Sequence, residues 1–261
     1  MKKKGVRMTL TPNYLLECCV DSVESAINAK KGNADRLELC SNLIIGGTTP
    51  TLALFKQIRE TVDIPIHVLI RPRFGDFLYS FHELNIMIKE IDMFRDAGAE
   101  GIVIGCLNTD GELAVPELKE LIAHAGNMRI TLHRAFDMCK SPFRAMEEAK
   151  NLGIHSILTS GQESSCLKGI DLIRRLSQEA DSSIAIMAGA GIDETAVRTL
   201  LEETSVTSFH MSGKKIVESE MRFRNPHVSM GIPGMSEYEI WRTDTGELTA
   251  VRKLLDEALP N

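Results

Sequence analysis

Eight short β-forming runs, spaced along the whole chain and mostly followed by amphipathic helical stretches, limit what this sequence can fold into. They are YLLECCV from Tyr14, RLELC from Arg36, IHVLIRP from Ile66, GIVIG from Gly101, RITLHRAFD from Arg129, SILTSG from Ser156, IAIMAGAG from Ile184 and TSFHMSG from Thr207. Alternation of this kind implies parallel strands joined by crossover helices. Between His82 and Ala97 the residues Leu84, Met87, Ile88, Ile91 and Phe94 recur at three- and four-residue steps, making one buried helical stripe. Leu118, Leu121 and Ile122, then Leu172, Ile173 and Leu176, and finally Leu248, Val251, Leu254 and Leu255 repeat the pattern. Gly32, Gly98, Gly126 and Gly153 fall just before the next strand and read as left-handed helix stops.

Eight such units in 261 residues favour a closed (β/α)8 barrel of the TIM type over an open doubly wound sheet. No G-x-G-x-x-G follows the first strand, which argues against a dinucleotide-binding sheet. The expected organisation is an N-terminal extension over 1–13 and one barrel domain over 14–261. One stretch, Lys214 to Glu237, resists the pattern and reads as a long loop of the kind that serves as a lid, a binding segment or a subunit contact.

The formal net charge of −6 offers no general attraction for nucleic acid or an anionic membrane. No run approaches the ~20 apolar residues of a membrane span, and the basic N-terminus lacks the apolar stretch of a signal peptide. The six cysteines form no C-x-x-C pair, and four lie beside strand-like runs. They read as reduced thiols in a cytoplasmic protein, not a disulfide framework or a zinc knuckle.

In a β/α barrel the reactive side chains stand where strands end. Strands one and two share a pattern, Glu17-x-Cys19 and Glu38-x-Cys40. Residues two apart share a strand face, so two acids and two thiols converge in one region. The bland alternative is that the cysteines are small core hydrophobes and the glutamates pair with arginines. Strand three ends in Arg71-Pro72-Arg73 and strand five in His133-Arg134-Ala135-Phe136-Asp137, with His133 and Asp137 of one parity and Arg134 of the other. Glu17, Glu38, His133 and Asp137 are therefore candidates for proton transfer, as catalytic groups or as a structural ion-pair network. Arg71, Arg73 and Arg134, with the small residues Ser160, Gly161, Gly189 and Gly191 at later strand ends, are candidates for holding an anion. Cys19 and Cys40 are the candidate metal ligands, with His210 and Met211 offering further soft donors for Cu(I).

Taken together, ECCVDS, RLELCSNLIIGGTTP, IRPRFGDFLYS, TLHRAFDMC, LTSGQ, MAGAGI and MRFRN resemble the CutC family, named for copper homeostasis, and the first two are more similar to its animal members. The resemblance runs from about Leu15 to the last helix. It implies a β/α barrel, a cytoplasmic and also nuclear setting, a homo-oligomer (dimer or tetramer) and Cu(I) as the bound ion. The cysteines it implies as copper ligands correspond to Cys19 and Cys40, and its polar mouth to Glu17, Glu38, Arg71, Arg73, His133, Arg134 and Asp137. Two positions depart from the pattern: Phe74 replaces a glycine of the third-strand motif, and Met211 stands where related sequences can have cysteine. Two functions follow: a copper homeostasis protein using Cys19 and Cys40, or an enzyme acting on a small anionic metabolite, phosphorylated or not, at the barrel mouth.

Overall fold

In the computed structural model, which describes residues 14–259 other than 226, 229, 231 and 233, eight parallel strands close into a barrel. They are β1 (Leu15–Val20), β2 (Arg36–Leu39), β3 (Ile66–Leu69), β4 (Gly101–Ile104), β5 (Arg129–Leu132), β6 (Ser156–Thr159), β7 (Ala185–Ala188) and β8 (Ser208–Met211). Helices α1 (Val23–Lys31), α2 (Leu52–Thr61), α3 (Phe81–Asp96), α4 (Val115–Ala125), α5 (Pro142–Asn151), α6 (Ile170–Glu179) and α7 (Glu194–Glu203) connect them. The barrel expectation is met strand by strand. The extension over 1–13 lies outside the described residues.

Local chemistry sets the helix starts. Ser22, Thr51 and Asp193 each accept a first-turn N–H, and Ser80 with Glu83 forms a reciprocal capping box. Gly98, Gly126 and Gly153 have positive φ, as helix stops should. Gly32 does not: its φ is −79°, and Asn33 takes the left-handed position instead. Glycine is required at 32 by space, since a Cβ there would lie 2.6 Å from Cβ of Leu248.

Strand residues of one parity, such as Leu16, Leu37, Val68, Ile102, Leu132 and Phe209, pack outward beneath the helices in the main core. The opposite parity faces the axis and is unusually polar: Glu17, Arg36, Glu38, His67, Thr131, Ser156 and Ser208 are all buried. A small apolar group, Cys19, Cys40, Leu69 and Val103 with Leu43 against it, shares that interior. Closure places β8 beside β1, so Glu17 is in register with both Arg36 of β2 and His210 of β8.

The segment from Lys214 is not one long loop. Its first residues form β9 (Lys214–Glu218), which pairs antiparallel with β10 (Glu239–Thr243) ahead of α8 (Thr245–Glu257). Ile216 and Val217 face Trp241 and Ile240 across this ribbon, the β-branched and aromatic pairing that favours strands. Its base is fixed to α1, where Asn28 donates to the Thr243 carbonyl and Ser25 Oγ accepts the Thr243 N–H. No helix among the described residues is long and apolar enough to cross a membrane.

Candidate functional site

Four ionisable side chains interlock inside the barrel. Arg36 Nε donates to Glu17 Oε2 at 2.6 Å, and His210 Nδ1 lies 2.7 Å from Glu17 Oε1. On its other edge, His210 Nε2 stands 3.3 Å from Glu38 Oε2. Burial acts to raise the Glu17 pKa, but the Arg36 charge and the His210 hydrogen bond outweigh it and hold this carboxyl well below the usual range. Glu38 goes the other way: burial, and after the favourable His210 charge the repulsion from Glu17, raise it. Burial opposes protonation of His210, yet the two carboxylates carry its pKa well above the ordinary value. The quartet is thus a charge-balanced unit, as buried ions require.

The thiols adjoin it. Cys19 Sγ and Cys40 Sγ are 3.7 Å apart, and both side chains are buried. A ligand atom each from Cys19, Glu38 and His210 lies within 4.8 Å of the others, close enough to surround one ion. The hydrogen bond to Cys40 and burial push the Cys19 pKa well above the ordinary thiol value, so it is a protonated thiol at neutral pH. Cys18 faces outward, its Sγ 3.8 Å from the Ser212 carbonyl oxygen, and takes no part.

Two cavities open above this floor. One, of about 350 Å³, is lined by Cys19, Glu38, Arg71, Phe77, His133 and His210 among others; the second, of about 610 Å³, by Cys19, Arg134, Gly191, His210, Gly213 and Lys214 among others. Glycines on and just after β4 make room for the ring walls: a Cβ at Gly101 would meet the His67 ring at 2.6 Å, and one at Gly105 the His133 ring at 2.5 Å. Burial, then the positive charges of Arg36 and Arg71 respectively, lower both histidines to about 3, so each is a neutral imidazole.

Glu17, Glu38, Cys19 and Cys40 therefore come together as their parity requires. The histidine and arginine that join them are His210 and Arg36, whereas His133 lies 4.8 Å from the Phe77 ring on the cavity wall. Arg71 also lines that cavity, but its guanidinium donates to the carbonyls of Gly46, Gly47 and Gly75. Arg73 is spent outside the cavities on Glu83, Asp76 and the Leu78 carbonyl, which leaves it a loop brace.

Strand parity fails after Leu132, because Arg134–Met138 winds into a 3-10 turn. The turn brings Arg134 and Asp137 to the same side, with Nε to Oδ2 at 2.7 Å. Asp137 also accepts the N–H groups of Ser160 and Gln162 and the hydroxyls of Thr159 and Ser160. The expected anion cradle at Ser160–Gly161 is thus filled by this chain's own carboxylate. Gly189 is set by packing, a Cβ there meeting Leu158 at 2.6 Å, while Gly191 has a φ of 84° and lines the larger cavity.

The model of the CutC family matches residues 14–215, which include every ligand-bearing strand of this site. The chain belongs to the CutC family. It is 44% identical over 242 residues to the copper homeostasis protein cutC homolog of Homo sapiens, spanning 92% of this chain and 88% of the human protein. A family protein CutC of Bacteroides fragilis is 43% identical over 229 residues, covering 87% of this chain and 91% of that one. Among solved structures, CutC from Streptococcus agalactiae superposes with a TM-score of 0.72 at 28% identity, over 76% of this chain and 98% of its own. CutC membership and the closed barrel thus agree.

Proposed function

We propose that this CutC chain takes part in copper homeostasis by holding Cu(I) as cargo between Cys19 and Cys40. The carrying observation is the 3.7 Å separation of two buried sulfurs on adjacent strands. That spacing is within the ~4.6 Å that two metal–sulfur bonds of about 2.3 Å can span. Thiolate is a soft donor that suits Cu(I), whereas His210 is held protonated between Glu17 and Glu38, and Glu38 is a hard donor that serves its charge. Anaerobic titration of Cu(I) against a competing chelator tests the reading. About one ion per chain is expected, lost in the Cys19→Ser/Cys40→Ser variant; unchanged stoichiometry in that variant would refute it.

A second reading, an enzyme for a small anionic metabolite, is favoured by one observation: neutral His133 and the raised carboxyl of Glu38 line the same 350 Å³ cavity. Turnover of such a compound, abolished in His133→Gln with copper stoichiometry retained, would establish it. The setting we propose is cytoplasmic, extending to the nucleus, with the chain as a homo-oligomer. Association is supported by the exposed apolar side chains of the β9–β10 ribbon, Ile216 at 58%, Val217 at 49% and Ile240 at 39%.

A further inference from the structure

The space above the thiols far exceeds what an ion needs. A single water requires ~10–15 Å³ of such volume, whereas the larger cavity offers about 610 Å³, the size of a small organic ligand. Cys19, His210 and Arg134 line both cavities, so an occupant of the larger one touches the outer thiol directly.

The far wall of that cavity suits an anion. Ala190 and Gly191 both adopt positive φ, 69° and 84°, and the Ala190 carbonyl is tied back by the Cys166 N–H at 2.9 Å. Among the described residues, the N–H groups of Ala190, Gly191 and Ile192 have no acceptor. Beside them, Lys215 is neutralised by Asp244 and Glu247, and Arg134 by Asp137. Lys214 instead rests its ammonium 3.8 Å from the Trp241 ring centroid. It forms no carboxylate pair within 4.0 Å among the described residues.

We infer that Cu(I) reaches this site as a complex with a small thiol bearing carboxylates, whose carboxylate is held by Lys214 and the N–H groups of Ala190, Gly191 and Ile192. This deepens, and rests on, the copper reading. The exchange balances without redox change. Each carrier sulfur–copper bond that breaks is replaced by a bond to Cys19 or Cys40 sulfur, the displaced thiol proton passes to the departing carrier thiolate, and copper stays monovalent.

S-Methylglutathione, which keeps the carboxylates but cannot donate a thiolate, is the metal-free probe. Calorimetry on the wild-type chain should register its binding, weakened about tenfold in Lys214→Glu and kept in Lys214→Arg. Stopped-flow transfer then compares Cu(I)–glutathione with Cu(I)–2-mercaptoethanol, whose ligand carries no carboxylate. The ratio of the two rates should fall about tenfold in Lys214→Glu. No detectable S-methylglutathione binding at millimolar concentration, or a rate ratio indifferent to the charge at 214, would overturn the carrier. Copper stoichiometry unaffected by Cys19→Ser/Cys40→Ser is a separate failure, which overturns the copper reading itself.

Discussion

The Glu17 carboxylate is gripped from both sides, by Arg36 at 2.6 Å and by His210 at 2.7 Å, in a barrel interior where all three are largely closed to water. Removing one partner of a buried pair leaves an uncompensated charge, a loss of ~3–5 kcal/mol. Glu17→Gln should therefore lower the urea-unfolding free energy by about that much. Glu17→Gln/Arg36→Met should lose less than the two single changes summed, because the stranded cation goes too. A single-variant loss under ~1 kcal/mol would mean the carboxylate is in effect solvated.

The thiol half of this arrangement was legible from spacing, since Glu17-x-Cys19 and Glu38-x-Cys40 each put acid and thiol on one strand face. The ionic half was not, because it depends on closure. Only when β8 pairs with β1 does His210 come into register with Glu17, and only the β1–β2 register places Arg36 opposite the same residue. Arg36 also opens its strand, where a charged residue ordinarily reads as the exposed edge of a turn. Asp137 misleads for another reason: a two-residue period has no meaning once the chain winds into the 3-10 turn over Arg134–Met138. The β9 strand was hidden by its exposure, with both apolar side chains facing outward and no alternation to detect.

Asp137 occupies a cradle built for an anion, which predicts a chemical rescue. Asp137→Gly vacates the Ser160 and Gln162 N–H groups and the Thr159 hydroxyl, so stability should drop by about 2–4 kcal/mol. Inorganic phosphate should then raise the melting temperature of the variant by more than that of the wild type, since the vacated cradle is an anion site that the wild type fills with its own carboxylate. Equal phosphate shifts for both proteins would show that the cradle is not the site of action.

Self-association through the ribbon has a direct test. Val217 stands opposite Ile240 on one face of the β9–β10 pair, and both are exposed in the single chain. Val217→Lys places a charge in that face and should shift sedimentation from oligomer to monomer. The fold should be kept, because surface changes of this kind cost within about 0.5 kcal/mol. An unchanged sedimentation coefficient would move the contact elsewhere.

His133 gives a signed pH dependence. Burial, then Arg71, lowers its folded pKa to about 3, so the folded state holds it neutral while the unfolded chain protonates it near the ordinary value of 6.5. Its contribution to stability is whole above pH 6.5 and is lost progressively as the pH falls toward 3. The slope is about 1.4 kcal/mol per pH unit. His133→Gln should flatten the pH dependence of the unfolding free energy by that slope between pH 4.5 and 6. A parallel line for the variant would mean that His133 is protonated alike in both states.

Copper affinity should climb with pH, for a related reason. Cu(I) binds the thiolate, and the Cys19 pKa is pushed well above 9.0 by its hydrogen bond to Cys40 and by burial. At neutral pH the ion must therefore displace a proton from Cys19, so apparent affinity rises about tenfold per pH unit for that thiol alone. With Cys19→Ser the proton is no longer displaced and that tenfold step should vanish from a competition titration run at pH 6, 7 and 8. Affinity independent of pH in the wild type would place copper on donors that are already deprotonated, and would remove Cys19 from the site.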